Sequence, residues 1–168
     1  MENTVPGAAG KMEGINMQRN QERAIFANMT VVYDTQGRVL VLDRKDPGWH
    51  GLAFPGGHVE PEEAFTDSVI REVYEETGLT IENPRLCGVK QFRTDDRERY
   101  VVFLYRADRF TGELRSSHEG EVFWVPRSDL PKYSLVPDFL DLLRVFEEPE
   151  LNEFLYRRGS DDWKISLL

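Results

Sequence analysis

The stretch that decides the fold is "GGHVEPEEAFTDSVIREVYEETGL", residues 56–79. Apolar residues recur in it at helical spacing, which predicts a helix from about Glu62 to Thr77. Pro61 suits the first turn of this helix, and Gly78 suits its end. The predicted buried side of the helix consists of Phe65, Val69, Ile70 and Val73.

Three carboxylates are predicted to share one side of this helix. Glu72 lies three residues before Glu75 and four before Glu76, so all three project toward one region. Like charges at this spacing repel by about 0.2–0.5 kcal/mol per pair, and the helix dipole disfavours anions near the C-terminal end. A solvated acidic face is the ordinary interpretation of such a run. A bound divalent cation is the alternative, because it would compensate the charge.

A pair of glycines that precedes the helix favours the interpretation as a cation site. Gly56 and Gly57 would expose a backbone carbonyl and allow a ligand to approach closely. Carboxylate and carbonyl oxygens are the ligands that Mg²⁺ or Mn²⁺ prefers. The residues therefore predict a Mg²⁺ site built by a glycine loop and a helix, of the kind that serves phosphoryl or nucleotidyl chemistry.

The composition excludes several classes of protein. The net charge of −9 and the lack of a basic run argue against a nucleic-acid polymer as partner. No apolar run approaches the roughly 18 residues of a membrane span, and the N-terminus lacks an apolar signal core, so we expect a cytoplasmic protein with no membrane partner. The single cysteine, Cys87, excludes an intrachain disulfide and is interpreted as a small buried hydrophobe.

The chain of 168 residues suits one domain of mixed α+β class. Residues 1–22 are polar and aperiodic and are predicted to form a flexible extension, which leaves 23–168 as the domain. Strands are predicted over residues 24–34, 38–46, 84–92, 99–108 and 121–126.

The C-terminal part is predicted to be a helical extension followed by a tail. A second helix is expected over residues 137–147, with Leu140, Leu143 and either Val145 or Phe146 facing inward. Residues 149–159 are expected to form a short third helix. The tail, residues 161–168, could pair with a sheet edge, pair with a second subunit in a homodimer, or fray.

The opening stretch also resembles a known family. It matches every fixed position of the Nudix box, G-x5-E-x7-R-E-U-x-E-E-x-G-U, in which U is aliphatic. The matching residues are Gly57, Glu63, Arg71, Glu72, Val73, Glu75, Glu76, Gly78 and Leu79. On these residues the chain is identified as a member of the Nudix hydrolase superfamily. The resemblance implies the Nudix fold, an α/β/α sandwich with a mixed β-sheet, from about Arg23 to Val145.

The resemblance also implies roles for the box residues. In this family the carbonyl before the box glycine and the two consecutive glutamates bind the essential cations, which implies Gly56, Glu75 and Glu76. The glutamate after the arginine, here Glu72, serves the metal site and often the attacking water. Mg²⁺ is the implied cofactor, with Mn²⁺ as a substitute.

Three further residues complete the implied catalytic group. Glu63 and Arg71 resemble the pair that braces the loop against the helix. Many members use one more glutamate shortly before a tryptophan, and Glu119, five residues before Trp124, is the match. A solvated loop carboxylate is the alternative interpretation of Glu119. Either Glu72 or Glu119 would be the general base, and that choice stays open here.

The substrate implied by the resemblance is a small nucleotide. The segments "LAFPGGHVE" and "GEVFWVPRSDLP" are similar to those of MutT-type 8-oxo-dGTP diphosphatases. Those enzymes read the purine edge with an Asn or an Asp pair near the last main helix, where this chain offers Asp138; stabilisation by the helix dipole is the alternative role. Trp49 and Phe54 are candidates for stacking on the base. Arg44 could reach a phosphate, or could simply be a solvated strand end.

Other activities fit the sequence less well. ADP-ribose members tend to carry a proline about fifteen residues past the box, where Thr94 and Asp95 stand here. A broad hydrolase of nucleoside triphosphates or nucleotide sugars is the second hypothesis. A nucleotide sensor without turnover is the third, and the complete box disfavours it because sensors usually lose box residues.

Overall fold

The computed structural model describes residues 21–45, 48, 50–159 and 162–168. The described strands are β1 (Ala24–Val32), β2 (Arg38–Arg44), β3 (Gly51–Ala53), β4 (Leu79–Ile81), β5 (Arg85–Arg93), β6 (Arg99–Ala107), β7 (Phe110–Gly112), β8 (Gly120–Pro126), β9 (Glu153–Arg158) and β10 (Trp163–Leu167). The helices are α1 (Phe65–Thr77) and α2 (Phe139–Glu147), and a 3₁₀ helix spans Arg127–Lys132.

The strands form a mixed main sheet and two smaller antiparallel sheets. The main sheet has five strands in the order β1-β6-β5-β9-β10, with β1 parallel to β6 and β5 parallel to β9. The strands β3-β2-β8 form a second sheet, and β4 pairs with β7. The predicted α+β class and mixed sheet are therefore confirmed. No helix in the described part of the chain is long and apolar enough to cross a membrane.

Two apolar cores lie on opposite faces of the main sheet, because successive side chains of a strand alternate. Val31 packs with α2 residues such as Leu143, whereas its neighbour Val32 packs with Val69 and Val73 of α1. The helices thus cover opposite faces, as in the predicted sandwich. Cys87 is half-buried at the edge of the α2-side core.

Helix α1 begins three residues later than predicted. Glu62 has a φ of 66°, in the left-handed region, so 61–62 form a turn and Pro61 does not lie in the first helical turn. Phe65 was expected inside but is 41% exposed, and its ring packs against Phe26 and Phe103. The predicted end is confirmed, since Gly78 has a φ of 77° and its N–H bonds to the Tyr74 carbonyl.

The prediction of a third helix over 149–159 is wrong. This segment contains strand β9, which pairs with β5 on one side and with β10 on the other. The alternate residues Phe154 and Tyr156 face the core, a strand pattern that is too short to be separated from a helix by sequence alone. The tail pairs with the sheet edge, which is one of its three expected arrangements.

Two smaller predictions concern α2 and the N-terminal extension. Leu140, expected to face inward from α2, is 42% exposed, and the helix begins at Phe139 because Asp138 before it has a φ of 61°. Residues 1–20 of the predicted flexible extension lie outside the described residues. Its last residue, Glu22, forms ion pairs with Arg93 (2.6 Å) and Arg99 (2.8 Å).

Candidate active site

The loop that leads into α1 is fixed to strand β1 by backbone hydrogen bonds. The N–H of Asn28 donates to the Gly57 carbonyl (2.8 Å), and the N–H of Thr30 donates to the Pro55 carbonyl (2.8 Å). A Cβ on Gly56 would lie 2.2 Å from the Asn28 carbonyl oxygen, so only glycine allows this approach. Beside the loop is a cavity of about 650 Å³, a size typical of small-molecule sites.

Arg71 connects the loop to the helix through a bidentate ion pair. Its Nε donates to Glu63 Oε1 (2.8 Å), and its second terminal nitrogen donates to Glu63 Oε2 (2.9 Å). The same guanidinium donates to the His58 carbonyl (3.1 Å). These bonds lower the pKa of Glu63 to about 2. The geometry matches the bracing role that the resemblance implies for this pair.

Arg71 also reaches two of the helix carboxylates. Its other terminal nitrogen donates to Glu72 Oε1 (2.8 Å) and to Glu75 Oε2 (3.2 Å). Glu72 packs tightly against the loop, because a Cβ on Gly57 would lie 2.4 Å from its Oε2. Burial raises the pKa of Glu72, and Arg71 only partly offsets this effect.

Glu76 is the most buried of the predicted metal ligands. It is 2% exposed, and its Oε2 accepts a hydrogen bond from the Gly56 N–H (2.8 Å). Burial raises the pKa of Glu76 to about 9, with a further contribution from the neighbouring Glu119 and then from Glu72. The buried Glu76 of α1 therefore lies next to a second carboxylate, from the exposed segment before β8, which is unfavourable unless a cation or a proton is present.

Glu119 is brought to this cluster by strand pairing. Its carbonyl accepts a hydrogen bond from the Lys45 N–H (3.1 Å), which ties the start of β8 to the end of β2. Glu119 and Glu72 both line the cavity. Their separation in sequence is 47 residues, so only the fold places them together.

The donor set fits a hard divalent cation. Gly56, Glu72, Glu75, Glu76 and Glu119 offer carbonyl and carboxylate oxygens, which suit Mg²⁺ or Mn²⁺. Among the residues that the structure describes, no three His, Cys, Asp or Glu side chains are already arranged as a metal-binding group. Arg71 donates to Glu72 and Glu75, while the Gly56 N–H donates to Glu76. Binding a cation would exchange these partners for the metal.

The residues predicted to bind the substrate lie in different environments. Arg44 lies at the end of β2 and lines the cavity near Glu119. The ring of Phe54 is buried and stacks on Phe139 at 4.1 Å, so most of its surface belongs to the core, with one part at the cavity wall. Trp49 lies outside the described residues. Asp138 precedes α2, and its carboxylate accepts a hydrogen bond from the Tyr156 hydroxyl.

Other residues line the cavity besides those preferred from the sequence, and two of them, Phe92 and Tyr100, belong to the aromatics that the sequence offers for base stacking. Phe92 and Tyr100 stack face to face, with ring centroids 4.9 Å apart, and the Tyr100 hydroxyl lies 2.8 Å from His58 Nε2. Lys90 also lines the cavity and was missed entirely. A weak signal was present in the sequence, because Lys90 lies in the middle of a predicted strand, after Val89 and two residues before Phe92.

The chain is similar to known proteins over most of the described domain. Residues 26–146 match the NUDIX domain family. The chain is 38% identical over 111 residues to an uncharacterized Nudix hydrolase, YvcI, of Bacillus subtilis, covering 63% of this chain and 69% of that protein. It is 31% identical over 104 residues to an ADP-ribose pyrophosphatase of Methanocaldococcus jannaschii, and the match covers 60% of this chain and 62% of that protein.

A human relative and a solved structure extend the comparison. The human 8-oxo-dGDP phosphatase NUDT18 is 27% identical over 133 residues, which cover 76% of this chain and 40% of that protein. The chain thus matches less than two thirds of two of these three relatives. The crystal structure of the mutator MutT protein from Bacillus halodurans superposes with a TM-score of 0.69 at 24% identity, over 85% of this chain and 97% of that one. This last likeness shows a shared fold.

Proposed function

The chain belongs to the NUDIX domain family, and we propose that it is a Mg²⁺-dependent pyrophosphohydrolase that converts a nucleoside triphosphate to the monophosphate and pyrophosphate. The observation that carries the proposal is the carboxylate cluster beside a cavity of nucleotide size, in which the buried Glu76 lies next to Glu119 and near Glu72. A structural role would give no reason to bury Glu76 among other carboxylates, since burial without a counter-charge is costly.

The residues divide the work of hydrolysis between them. A bound divalent cation would neutralise the phosphates and make the attacking water more acidic. Arg71 and Glu63 hold the loop against α1, so that the Gly56 carbonyl and the helix carboxylates keep one geometry. Glu72 or Glu119 takes the proton from water as its oxygen bonds to phosphorus, and pyrophosphate leaves with the electron pair of the broken P–O bond.

An oxidised purine such as 8-oxo-dGTP is the proposed substrate. The likeness of "LAFPGGHVE" and "GEVFWVPRSDLP" to MutT-type enzymes supports it, and so does the similarity to a human protein named for 8-oxo-dGDP. Asp138, whose charge acts on Lys90 of the cavity wall, is proposed to read the purine edge. The hydroxyl of Tyr156 already occupies part of its hydrogen-bonding capacity.

A broad nucleoside diphosphate-X hydrolase is the alternative, and one observation favours it. The relative from Methanocaldococcus jannaschii is named an ADP-ribose pyrophosphatase and is more similar to this chain than the human relative is. A location in the cytoplasm stays a prediction from the sequence, and so does a homodimer, which was one of the three arrangements left open for the tail.

Substrate profiling with product identification tests the proposal. The purified protein with Mg²⁺ is offered 8-oxo-dGTP, 8-oxo-dGDP, the ordinary dNTPs, ADP-ribose and UDP-glucose, and products are separated by chromatography. We expect 8-oxo-dGTP to give the highest kcat/KM, with pyrophosphate as product, and EDTA to abolish turnover. Preference for ADP-ribose would favour the alternative, and inertness toward the whole panel would overturn the enzymatic proposal.

A further inference from the structure

A lysine is buried in the wall of the cavity. Lys90 lies in the middle of β5 and is 9% exposed. Its Nζ lies over the rings of Phe154 and Tyr156, 5.4 Å and 5.1 Å from their centroids. Lysine is almost never buried to this degree without a specific reason.

Strand register shows which face of the sheet carries this lysine. Lys90 is directly opposite Val102 on β6 and Phe154 on β9, and Val102 is opposite Ala27 on β1. Cross-strand partners point to the same face of a sheet. Ala27, Val102 and Lys90 all line the cavity, so the lysine stands in an apolar wall that faces the cavity interior.

The cavity wall carries two chemically different sets of side chains. Glu72, Glu119 and Arg44 form the charged set, where metal and phosphates are proposed to bind. Lys90 and Phe92 lie two residues apart on β5, and Phe92 stacks on Tyr100, so this part of the wall is aromatic and suits a flat base. Ligand sites typically combine apolar walls with a few placed polar groups that decide specificity, and Lys90 is such a group.

The chemistry of lysine restricts what can lie next to it. An ammonium group has three donors and no acceptor, so the facing atom of the base must be an acceptor. Guanine-type bases offer a 6-oxo group, whereas adenine offers a 6-amino group that would direct its own N–H bonds toward the ammonium. Lysine is one of the two side chains that most often recognise guanine O6.

Packing alone does not account for Lys90. Its contacts in the described structure are the two rings and, at longer range, the charge of Asp138. The carboxylate of Asp138 already accepts a hydrogen bond from Tyr156. Burial lowers the pKa of Lys90, and a methionine of similar length would fill the same space without this penalty.

We propose that Lys90 is a specificity-determining residue that donates a hydrogen bond to the 6-oxo group of a bound purine, so that the site selects guanine-type over adenine-type nucleotides. This inference rests on the proposed function for the location of the nucleotide. It also applies to 8-oxoguanine, which keeps the 6-oxo group.

The test compares bases that differ at the 6-position. Values of kcat/KM are measured with Mg²⁺ for dITP against dATP, and for dGTP against 2,6-diaminopurine deoxyribonucleoside triphosphate. Wild type, Lys90→Met and Lys90→Arg are assayed, with Lys164→Met as control because Lys164 is an exposed lysine on β10 of the same sheet. If Lys90→Met does not fold, as judged by its melting curve, Lys90→Leu, which also lacks a donor, takes its place.

We expect wild type to prefer the 6-oxo base in both pairs. Lys90→Met should lose at least about tenfold in kcat/KM on the 6-oxo substrates and less than about threefold on the 6-amino ones. Lys90→Arg should keep the direction of the preference, and Lys164→Met should leave both values unchanged. An equal loss on both classes, or a wild type that prefers 6-amino bases, would overturn the assignment of Lys90.

Affinities measured without turnover test the assignment of Lys90 independently of the proposed hydrolase activity. The affinities of dGMP and dAMP for wild type and Lys90→Met are measured by calorimetry in EDTA, where no hydrolysis takes place. A Lys90-dependent preference for dGMP together with no turnover of any triphosphate would remove the proposed function and leave the assignment of Lys90 standing. A wild type that binds dGMP no more tightly than dAMP would overturn that assignment even if triphosphates are hydrolysed.

Discussion

Replacing Glu76 by glutamine should stabilise the metal-free protein while removing a proposed metal ligand. The wild-type carboxyl is 2% exposed and lies beside Glu119, so its charged form is unfavourable in the fold. Glutamine keeps an oxygen that can accept the hydrogen bond from the Gly56 N–H (2.8 Å). The substitution therefore removes the charge and preserves the packing.

The size of the effect follows from the pKa of Glu76, which rises from 4.5 to about 9 on folding. Between these two values the folded protein binds more protons than the unfolded chain, so stability present below pH 4.5 is lost as the pH rises toward 9. At about 1.4 kcal/mol per pKa unit, the upper limit at pH 8 is about 5 kcal/mol. Proton sharing with Glu119 and water entry should reduce it to about 2 kcal/mol, or a rise of about 4–8 °C in Tm.

Thermal unfolding in EDTA at pH 5, 7 and 8.5 measures this directly. The difference between Glu76→Gln and wild type should be small at pH 5 and largest at pH 8.5. Glu75→Gln is the matched control, because Glu75 is 56% exposed and pairs with Arg71 at 3.2 Å; its stability should change by less than about 0.5 kcal/mol. A Glu76→Gln protein that melts below wild type at pH 8.5, or a stabilisation independent of pH, would refute the reasoning.

Four further predictions concern the site and the sheet. Glu72→Gln should lower kcat for pyrophosphate release about 100-fold or more with an unchanged melting curve, whereas unchanged kcat would exclude it as base and ligand. Arg71→Lys should cost about 1–3 kcal/mol in urea unfolding, because lysine cannot make the two parallel bonds to Glu63. Asp138→Ala should raise KM for 8-oxo-dGTP far more than KM for dCTP, and equal increases would contradict the purine-edge hypothesis. Deleting residues 162–168 removes β10 and should lower Tm, since it uncovers β9 in the main sheet; an unchanged Tm would mean that this strand adds no stability.

Local patterns were sufficient where a structure depends on neighbours in sequence. The end of α1 at Gly78 needed only a residue that tolerates a positive φ, and the burial of Val69 and Val73 followed from helical spacing. The start of α1 was missed, because Glu62 adopts a left-handed conformation that its side chain does not favour. That conformation accompanies the ion pair of the next residue, Glu63, with Arg71, a tertiary contact.

The sequence by itself determined the family, the carboxylate-bearing helix and the glycine loop, because these depend on residue types at fixed spacing. The tertiary structure decided what depends on residues far apart in the chain. It made residues 153–158 a strand by offering them β5 and β10 as partners, and it placed Glu119 against Glu76. It also buried Lys90 in the wall of the cavity that Glu72 and Glu119 line. Burial and proximity change the cost of a charge, and both are properties of the assembled fold.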